Sequence, residues 1–138
     1  MFATAAHVSK AYSRLAVESA ALGADAHQLV GMLFTGAITA IGQARAALAR
    51  GDIGAKAIAS SKAIRLVDEG LKVAVDRSVG SLGEQLYQLY DYCARRLLHA
   101  HVKHDDRAYA EVATLLSELE SAWVAISPNG GAPLRRVS

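Results

Sequence analysis

At 138 residues the chain has room for one domain with one hydrophobic core. Hydrophobic residues make up 52% of it and charged residues 20%, a composition that argues against intrinsic disorder. The formal net charge of +2, with basic residues dispersed along the chain, argues against a nucleic-acid partner. The single cysteine, Cys93, excludes an intramolecular disulfide and a four-thiolate metal site, and we expect a small buried hydrophobe there.

Residues 1–24 form an Ala- and Ser-rich segment ahead of the first predicted helix. Its apolar positions include Val8, Tyr12, Leu15 and Leu22, which predict a short helical or extended cap. Such a segment is too short to be stable alone, so we expect it to dock on the rest of the chain or to stay mobile. It lacks the features of a signal peptide, which predicts a cytoplasmic protein.

Capping signals delimit the first two helices. Asp25 and Gln28 have the spacing of a capping box, which predicts a helix from there to about Arg50. Gly51-Asp52 ends that helix. A second helix is predicted over 53–77, with apolar positions at Ile53, Ala57, Ile64, Val67, Leu71 and Val75.

Residues 26–44 contain no Asp, Glu, Lys or Arg, and their length approaches a membrane span. Several polar residues are scattered through the stretch, and no basic cluster flanks its start. We interpret it as a central helix that protein covers on most sides, so no stable membrane insertion is expected. A membrane anchor through 26–44 is the alternative.

The third helix is predicted to follow Gly80-Ser81 and to run to about Lys103. Ser81 and Glu84 form a second capping-box pattern at its start. Asp105 or Asp106 is expected to cap the fourth helix. That helix ends at the Ser127–Gly131 run, which leaves 128–138 as a disordered tail.

Residues 25–127 thus contain four predicted helices, each roughly 30–37 Å long at 1.5 Å per residue. Connections of a few residues force consecutive helices to be antiparallel. The predicted fold is all-α, an antiparallel up-down-up-down four-helix bundle with a short N-terminal helical or extended cap segment.

The first and third predicted helices each carry two apolar stripes, although one stripe per helix suffices for a bundle core. On the first helix the stripes are Leu29, Leu33, Gly36, Ala40 and Val30, Phe34, Ile38, Ile41. On the third they are Leu82, Leu86, Leu89, Cys93, Leu97 and Tyr87, Tyr90, Ala94, Leu98. The surplus has two alternative explanations. These two helices are buried more deeply than the others, or part of their apolar surface forms a groove for an amphipathic partner helix.

The best candidate for metal binding or catalysis is the run that holds His99, His101 and His104 beside Asp105. The spacing fits zinc ligation in part. However, His99 and His101 point to different sides, and cationic side chains at a helix end meet the negative end of the helix dipole. We interpret the run as structural and predict no enzyme, no metal and no cofactor.

The sequence resembles the flagellar secretion chaperone family (FliS) over about residues 8–128. The segments that carry the resemblance are Ala11-Tyr12, Val17-Glu18-Ser19-Ala20, His27-Gln28-Leu29-Val30, Met32-Leu33-Phe34-x-Gly36-Ala37, Gly51-Asp52-Ile53-x-Ala55-Lys56, Ser61-Lys62-Ala63-Ile64, Leu89-Tyr90-Asp91-Tyr92, Arg95-Arg96-Leu97-Leu98, Glu111-Val112, Leu115-Leu116 and Ala122-Trp123. Their order and spacing together are specific, although each segment alone is weak.

The resemblance implies a cytosolic export chaperone for flagellin. Members of the family bind the disordered C-terminal segment of flagellin, which becomes helical as it wraps around the bundle. Premature polymerisation is thereby prevented, and the complex is delivered to the cytosolic domain of the flagellar type III export gate. Tyr12 matches the N-terminal Tyr that contributes to gate docking in the family, and Val8 is the candidate for its apolar neighbour.

We combine the surplus stripes with this resemblance to predict the client site. The predicted flagellin groove consists of Leu29, Leu33, Phe34, Tyr87, Tyr90, Ala94, Leu97 and Leu98. A generic adaptor bundle that binds another helical peptide remains an alternative, because composition does not separate it from a flagellin chaperone.

Overall fold

A computed structural model describes residues 26–78 and 80–125, and four helices with their connections make up these ranges. Helices α1, α3 and α4 are Ala26–Ala49, Gly80–Lys103 and Asp106–Val124. Helix α2 has three consecutive parts: an α-helix over Ile53–Arg65, a π-helical turn over Leu66–Leu71 and a last α-helical turn over Lys72–Ala74. The prediction of an all-α fold is confirmed.

The four helices form a closed ring. α1 packs against α2 and α4, and α3 packs against the same two helices. Because the connections are short, the direction alternates from helix to helix, which gives the up-down-up-down bundle. We call the end with residue 26, the α2–α3 connection and residue 124 the terminal end. The opposite end, with the α1–α2 and α3–α4 connections, is the distal end.

All four helices contribute to the core. Side chains without exposed surface include Val30, Phe34, Ile41, Val67, Leu71, Tyr90, Leu97, Tyr109, Val112 and Leu116. The inward positions of each helix recur every three or four residues, as a bundle core requires. Ile53, predicted among the apolar positions of α2, is 52% exposed because it begins the helix at the distal rim.

Two aspartates cap helices at the distal end. The Asp52 side chain accepts a hydrogen bond from the Ala55 amide at 3.0 Å, and Asp105 accepts from the Arg107 and Ala108 amides at 3.0 and 3.3 Å. Each satisfies amides that have no partner inside the helix. Of the two caps considered for α4, Asp105 is the one used. The Asp25 cap of α1 lies outside the described residues.

The α2–α3 connection differs from its prediction. α2 ends at Ala74 rather than about Arg77, because Val75 is extended and Asp76 accepts from the Ser78 amide and hydroxyl at 3.0 and 2.6 Å. α3 begins at Gly80, so Ser81 lies inside its first turn. Glu84 contacts the Arg77 guanidinium at 2.8 and 3.0 Å, so the predicted Ser81–Glu84 capping box is wrong.

The π-helical turn keeps the second half of α2 in phase with the core. Val67 and Leu71, both within this turn, are buried although their spacing of four residues exceeds the 3.6 residues per turn of an ordinary helix. The Lys72 amide donates to the Val67 carbonyl, five residues back. This wider turn takes up the extra residue, and Val67 and Leu71 both stay on the inner side.

Protein covers one face of α1 rather than most sides. Its buried residues are Val30, Phe34, Ala37, Ala40, Ile41, Ala44 and Ala47. The outward face carries uncharged polar side chains, including Thr35, Thr39 and Gln43. Among the described residues, α1 is long and apolar enough to cross a membrane. The core helix of a soluble bundle has the same length and composition, and the burial of the inner face of α1 fits that interpretation.

Candidate partner-binding surface

Four predicted groove residues lie in the core, namely Phe34, Tyr90, Ala94 and Leu97. Phe34, Tyr90 and Leu97 have no exposed surface, and the ring centroids of Phe34 and Tyr90 are 6.5 Å apart across the bundle. Phe34 and Tyr90 join α1 and α3 in this structure, and none of the buried side chains lines an open groove here. The period of a stripe gives its direction around the helix, whereas its depth depends on the neighbouring helices.

Leu33 lies in the seam between α1 and α2, and Leu29 precedes it on the same line of α1. Leu33 is half-buried and packs on Gly70, where an added Cβ would come within 2.8 Å of Leu33 Cδ2. Leu29, one turn earlier, is 38% exposed. The seam opens into a cleft of about 360 Å³ with an apolar floor and a charged rim, lined by Leu33, Lys62, Arg65, Leu66, Glu69 and Gly70.

Ala94 and Leu98 lie along the seam between α2 and α3. Asp91, Ala94, Leu98 and His101 lie on one side of α3, three or four residues apart. At the two ends of this line, Asp91 contacts Lys72 of α2 and His101 contacts Lys56 of α2. Leu98 lies between these contacts and is 54% exposed, whereas Ala94 is buried with 7% of its surface exposed. This seam therefore presents an apolar side chain above a small one, between two polar contacts.

Tyr87, the remaining predicted groove residue, is half-buried near the terminal end. The Arg77 guanidinium lies 3.9 Å from the ring centroid, and the Lys72 ammonium lies 5.4 Å from it. These are cation–π distances, so one face of the ring is in contact with positive charge. The groove prediction thus divides into core residues, two seams beside α2 and a ring beside two cations.

Sequence reasoning missed several exposed apolar residues on and beside α2. Met32 is 63% exposed, Ile58 75%, Val73 70% and Val102 59%. A signal existed for Ile58 and Val73, since both fall out of phase with the predicted inward positions of α2. An apolar residue on the polar face of an amphipathic helix is informative when several occur together.

The two seams of α4 are joined by polar contacts. Arg45 of α1 pairs with Asp106 at 2.7 Å. On the other side, the Tyr92 hydroxyl and the Arg96 guanidinium donate to Glu111 at 2.5 and 2.8 Å, and these bonds lower the pKa of Glu111. Exposed apolar surface is therefore more prominent around α2 than along the α4 seams.

The α2–α3 seam also carries an ion-pair network. Lys72 Nζ lies 2.5 Å from Asp68 and 3.1 Å from Asp91, and both bonds raise the pKa of Lys72. The hydrogen bond from Lys72 lowers the pKa of Asp91 most, and the hydrogen bond from Arg95 lowers it further. The network is partly exposed, so it fixes the register of the two helices more than it stabilises them.

The histidine run is divided among separate contacts. His99 lies 3.3 Å from Asp105, and His101 contacts Lys56. Within the described ranges, no three His, Cys, Asp or Glu side chains are grouped so that they could hold a metal ion. Cys93 is fully buried, and desolvation raises the pKa of its thiol to about 12, which keeps the thiol protonated. Val8 and Tyr12, predicted for gate docking, lie outside the described residues.

Comparison of the sequence with known proteins identifies one family. A model of the family described as Flagellar protein FliS matches residues 8–130. The chain is 48% identical over 120 residues to the flagellar secretion chaperone FliS of Salmonella typhimurium, covering 86% of this chain and 89% of that protein. It is 38% identical over 120 residues to the protein of that name from Escherichia coli, covering 86% and 88%. The chain belongs to the FliS family.

Proposed function

We propose that this protein is a cytoplasmic export chaperone that binds the disordered C-terminal segment of flagellin, prevents its premature polymerisation and delivers it to the flagellar type III export gate. Membership of a family whose relatives are named flagellar secretion chaperones carries the proposal. The family is one of chaperones rather than enzymes, and the protein acts by binding.

The surface chemistry supports a client that orders on binding. A disordered segment loses conformational entropy when it folds on a partner, so the interface must bury a large apolar area. Exposed apolar residues beside α2 supply such an area in two places. Leu29 and Leu33 belong to the α1–α2 seam, and Leu98 to the α2–α3 seam.

The client segment follows both seams of α2. Its apolar side chains contact Leu29 and Leu33 on one side and Leu98 on the other, with Met32 and Val73 extending the first contact. Phe34, Tyr90 and Leu97 support these seams from the core beneath them. Amphipathic helices bind in this manner through anchors spaced three or four residues apart.

Delivery to the gate involves the segment ahead of α1. Val8 and Tyr12 dock on the cytosolic domain of the gate once flagellin is bound. Tyr12→Ala and Val8→Ala are expected to leave flagellin binding intact and to weaken capture of the chaperone–flagellin complex by that domain. Unchanged capture by both variants would assign gate docking to another surface.

Titration calorimetry with a flagellin C-terminal peptide tests client binding. Leu33→Ala and Leu98→Ala are each expected to weaken binding about tenfold, equivalent to about 1.4 kcal/mol. Val124→Ala is the matched control, since Val124 is 66% exposed but lies on α4. No binding by the intact protein would refute a flagellin client. Equal binding by all variants would refute the seams as the binding surface, but flagellin would remain the client.

A further inference from the structure

Lys56 is buried, and its ammonium contacts no carboxylate of the described residues. It lies in the first turns of α2, has no exposed surface, and is the only buried lysine among the described residues. Its ammonium contacts His101 of α3 twice, at 2.9 Å from Nδ1 and 2.7 Å from the backbone carbonyl oxygen. Fully buried lysines are rare unless they are paired, so this contact calls for an explanation.

The contact closes the C-terminal end of α3. His104 has a φ of 52°, the Asp105 amide donates to the Ala100 carbonyl at 2.9 Å, and the His104 amide donates to the His101 carbonyl at 3.4 Å. This is a Schellman turn, in which a left-handed residue ends the helix. The Lys56 ammonium adds a positive charge at the negative end of the α3 dipole.

The same contact restricts the protonation of His101. A charged lysine only donates hydrogen bonds, so Nδ1 must present its lone pair, and the imidazole is neutral with its proton on Nε2. A proton on Nδ1 would place two cations 2.9 Å apart in a part-buried site. Desolvation lowers the pKa of His101, and Lys56 and then His104 lower it further, while desolvation also lowers the pKa of Lys56.

Neighbouring groups offer no counter-charge to an imidazolium at this position. On the α3–α4 turn, His104 is a second base, and Asp105 is held by the α4 amides and His99. On α4, Tyr109 pairs with Ser60 through a buried hydrogen bond of 2.6 Å, and on α2 Asp52 caps its own helix. Within residues 26–78 and 80–125, no ion pair joins Lys56 or His101 to a carboxylate.

We propose that Lys56 and His101 form a proton-sensitive latch between α2 and α3. With neutral His101 the latch is closed and the α3–α4 turn is held in place. Protonation of Nδ1 separates the two side chains, and the last turn of α3 loosens. Leu98 lies one turn away in the α2–α3 seam, so loosening of the last turn reaches the candidate client site; only this consequence for client binding rests on the proposed function.

The direction of the pH dependence follows from linkage. An unfolded histidine titrates near a pKa of about 6.5. Because folding lowers the pKa of His101, the unfolded chain takes up the proton first as pH falls. The contribution of the latch to stability is therefore fully present above about pH 6.5 and is lost as pH falls toward the lowered pKa. Each unit of lowering corresponds to a tenfold loss of folding equilibrium constant.

Histidine NMR titration of the full chain, with amide hydrogen exchange, tests the latch. We expect His101 to titrate below its pKa in the urea-unfolded chain. Protection of the His104 and Asp105 amides, corrected for intrinsic exchange rates, is expected to fall in step with that titration. In His101→Asn, whose side-chain oxygen accepts from Lys56 but does not titrate, this fall is expected to disappear.

Lys56→Met, with the exposed Lys62→Met as its matched control, identifies the partner. We expect the pKa of His101 to rise in Lys56→Met and to stay unchanged in Lys62→Met. If Lys56→Met does not fold, the titration of the intact chain and of His101→Asn decides alone. An unshifted His101, or the same loss of protection in His101→Asn, would overturn the proposal.

Discussion

The two ends of the bundle are held together by different kinds of interaction. At the distal end, Asp52 and Asp105 cap their own helices, and the Arg45–Asp106 pair and the Lys56–His101 contact join neighbouring helices through polar groups. At the terminal end, Trp123 stacks on His27 with ring centroids 5.0 Å apart. The Trp123 indole donates to the His27 carbonyl at 2.9 Å, and the His27 ring contacts the Trp123 carbonyl at 3.1 Å.

This difference has a physical consequence for each end. The distal connections are short, so their caps join residues that are close in sequence and need little ordering. The His27–Trp123 pair joins residues 96 positions apart, so it is formed only when the whole bundle closes. The Arg77–Glu84 pair at the terminal end is exposed and contributes little. We therefore expect the terminal end to depend on aromatic packing and the distal end on several smaller polar contacts.

Removal of Trp123 tests the terminal end most severely. Trp123 is 4% exposed, and Trp123→Ala is expected to lower the free energy of unfolding by about 3–5 kcal/mol through lost burial and an unfilled cavity. Urea unfolding followed by circular dichroism measures this loss. Trp123→Phe is the control, which keeps a ring and loses the N–H, at a cost of about 1 kcal/mol. Equal losses would mean that the hydrogen bond, rather than packing, holds this end.

Gly83 tests how tightly α3 packs at the same end. A Cβ there would come 2.3 Å from the Asp76 carbonyl oxygen, so the backbone of the α2–α3 connection must move. Gly83→Ala is expected to destabilise by about 1–3 kcal/mol in thermal or urea unfolding. Gly42→Ala meets no atom within 4 Å and is expected to stabilise by about 0.5–1 kcal/mol. Stabilisation by both substitutions would contradict the close approach.

Removal of the buried Ser60–Tyr109 hydrogen bond tests how much a polar contact between α2 and α4 stabilises the bundle. Each of Ser60→Ala and Tyr109→Phe leaves a buried hydroxyl without this partner, and each is expected to cost about 1–3 kcal/mol. The double variant removes both hydroxyls and is expected to be less destabilised than the sum of the single variants. Strict additivity in this double-mutant cycle would show that the two hydroxyls are not coupled.

The Asp105 cap tests the smallest of these contributions. Asp105→Ala removes the acceptor for the Arg107 and Ala108 amides and is expected to cost about 1 kcal/mol, while Asp105→Ser retains most of the cap. Local hydrogen exchange in the first turn of α4 reports the effect. Loss of protection in α1 to the same extent would mean that the distal end unfolds as a single unit.

The candidate surface shows where prediction from sequence stopped. Leu29 and Leu98, both predicted from the surplus apolar stripes to line the groove, are exposed. Phe34 and Tyr90 belong to the same kind of stripe but are buried in contact across the core. Whether a stripe faces a neighbour or the solvent depends on how the four helices are rotated against one another, which no local pattern specifies.

Over residues 26–78 and 80–125, the sequence by itself determined the number of helices, most of their ends and their alternating direction. Caps such as Asp52 and Asp105 act within a few residues, and the helical period is a property of each helix alone. Only the tertiary structure decided which apolar faces are buried, how Lys56 reaches His101 and how Trp123 meets His27. Those contacts join residues that are 45 and 96 positions apart, and their geometry exists only after the helices have packed.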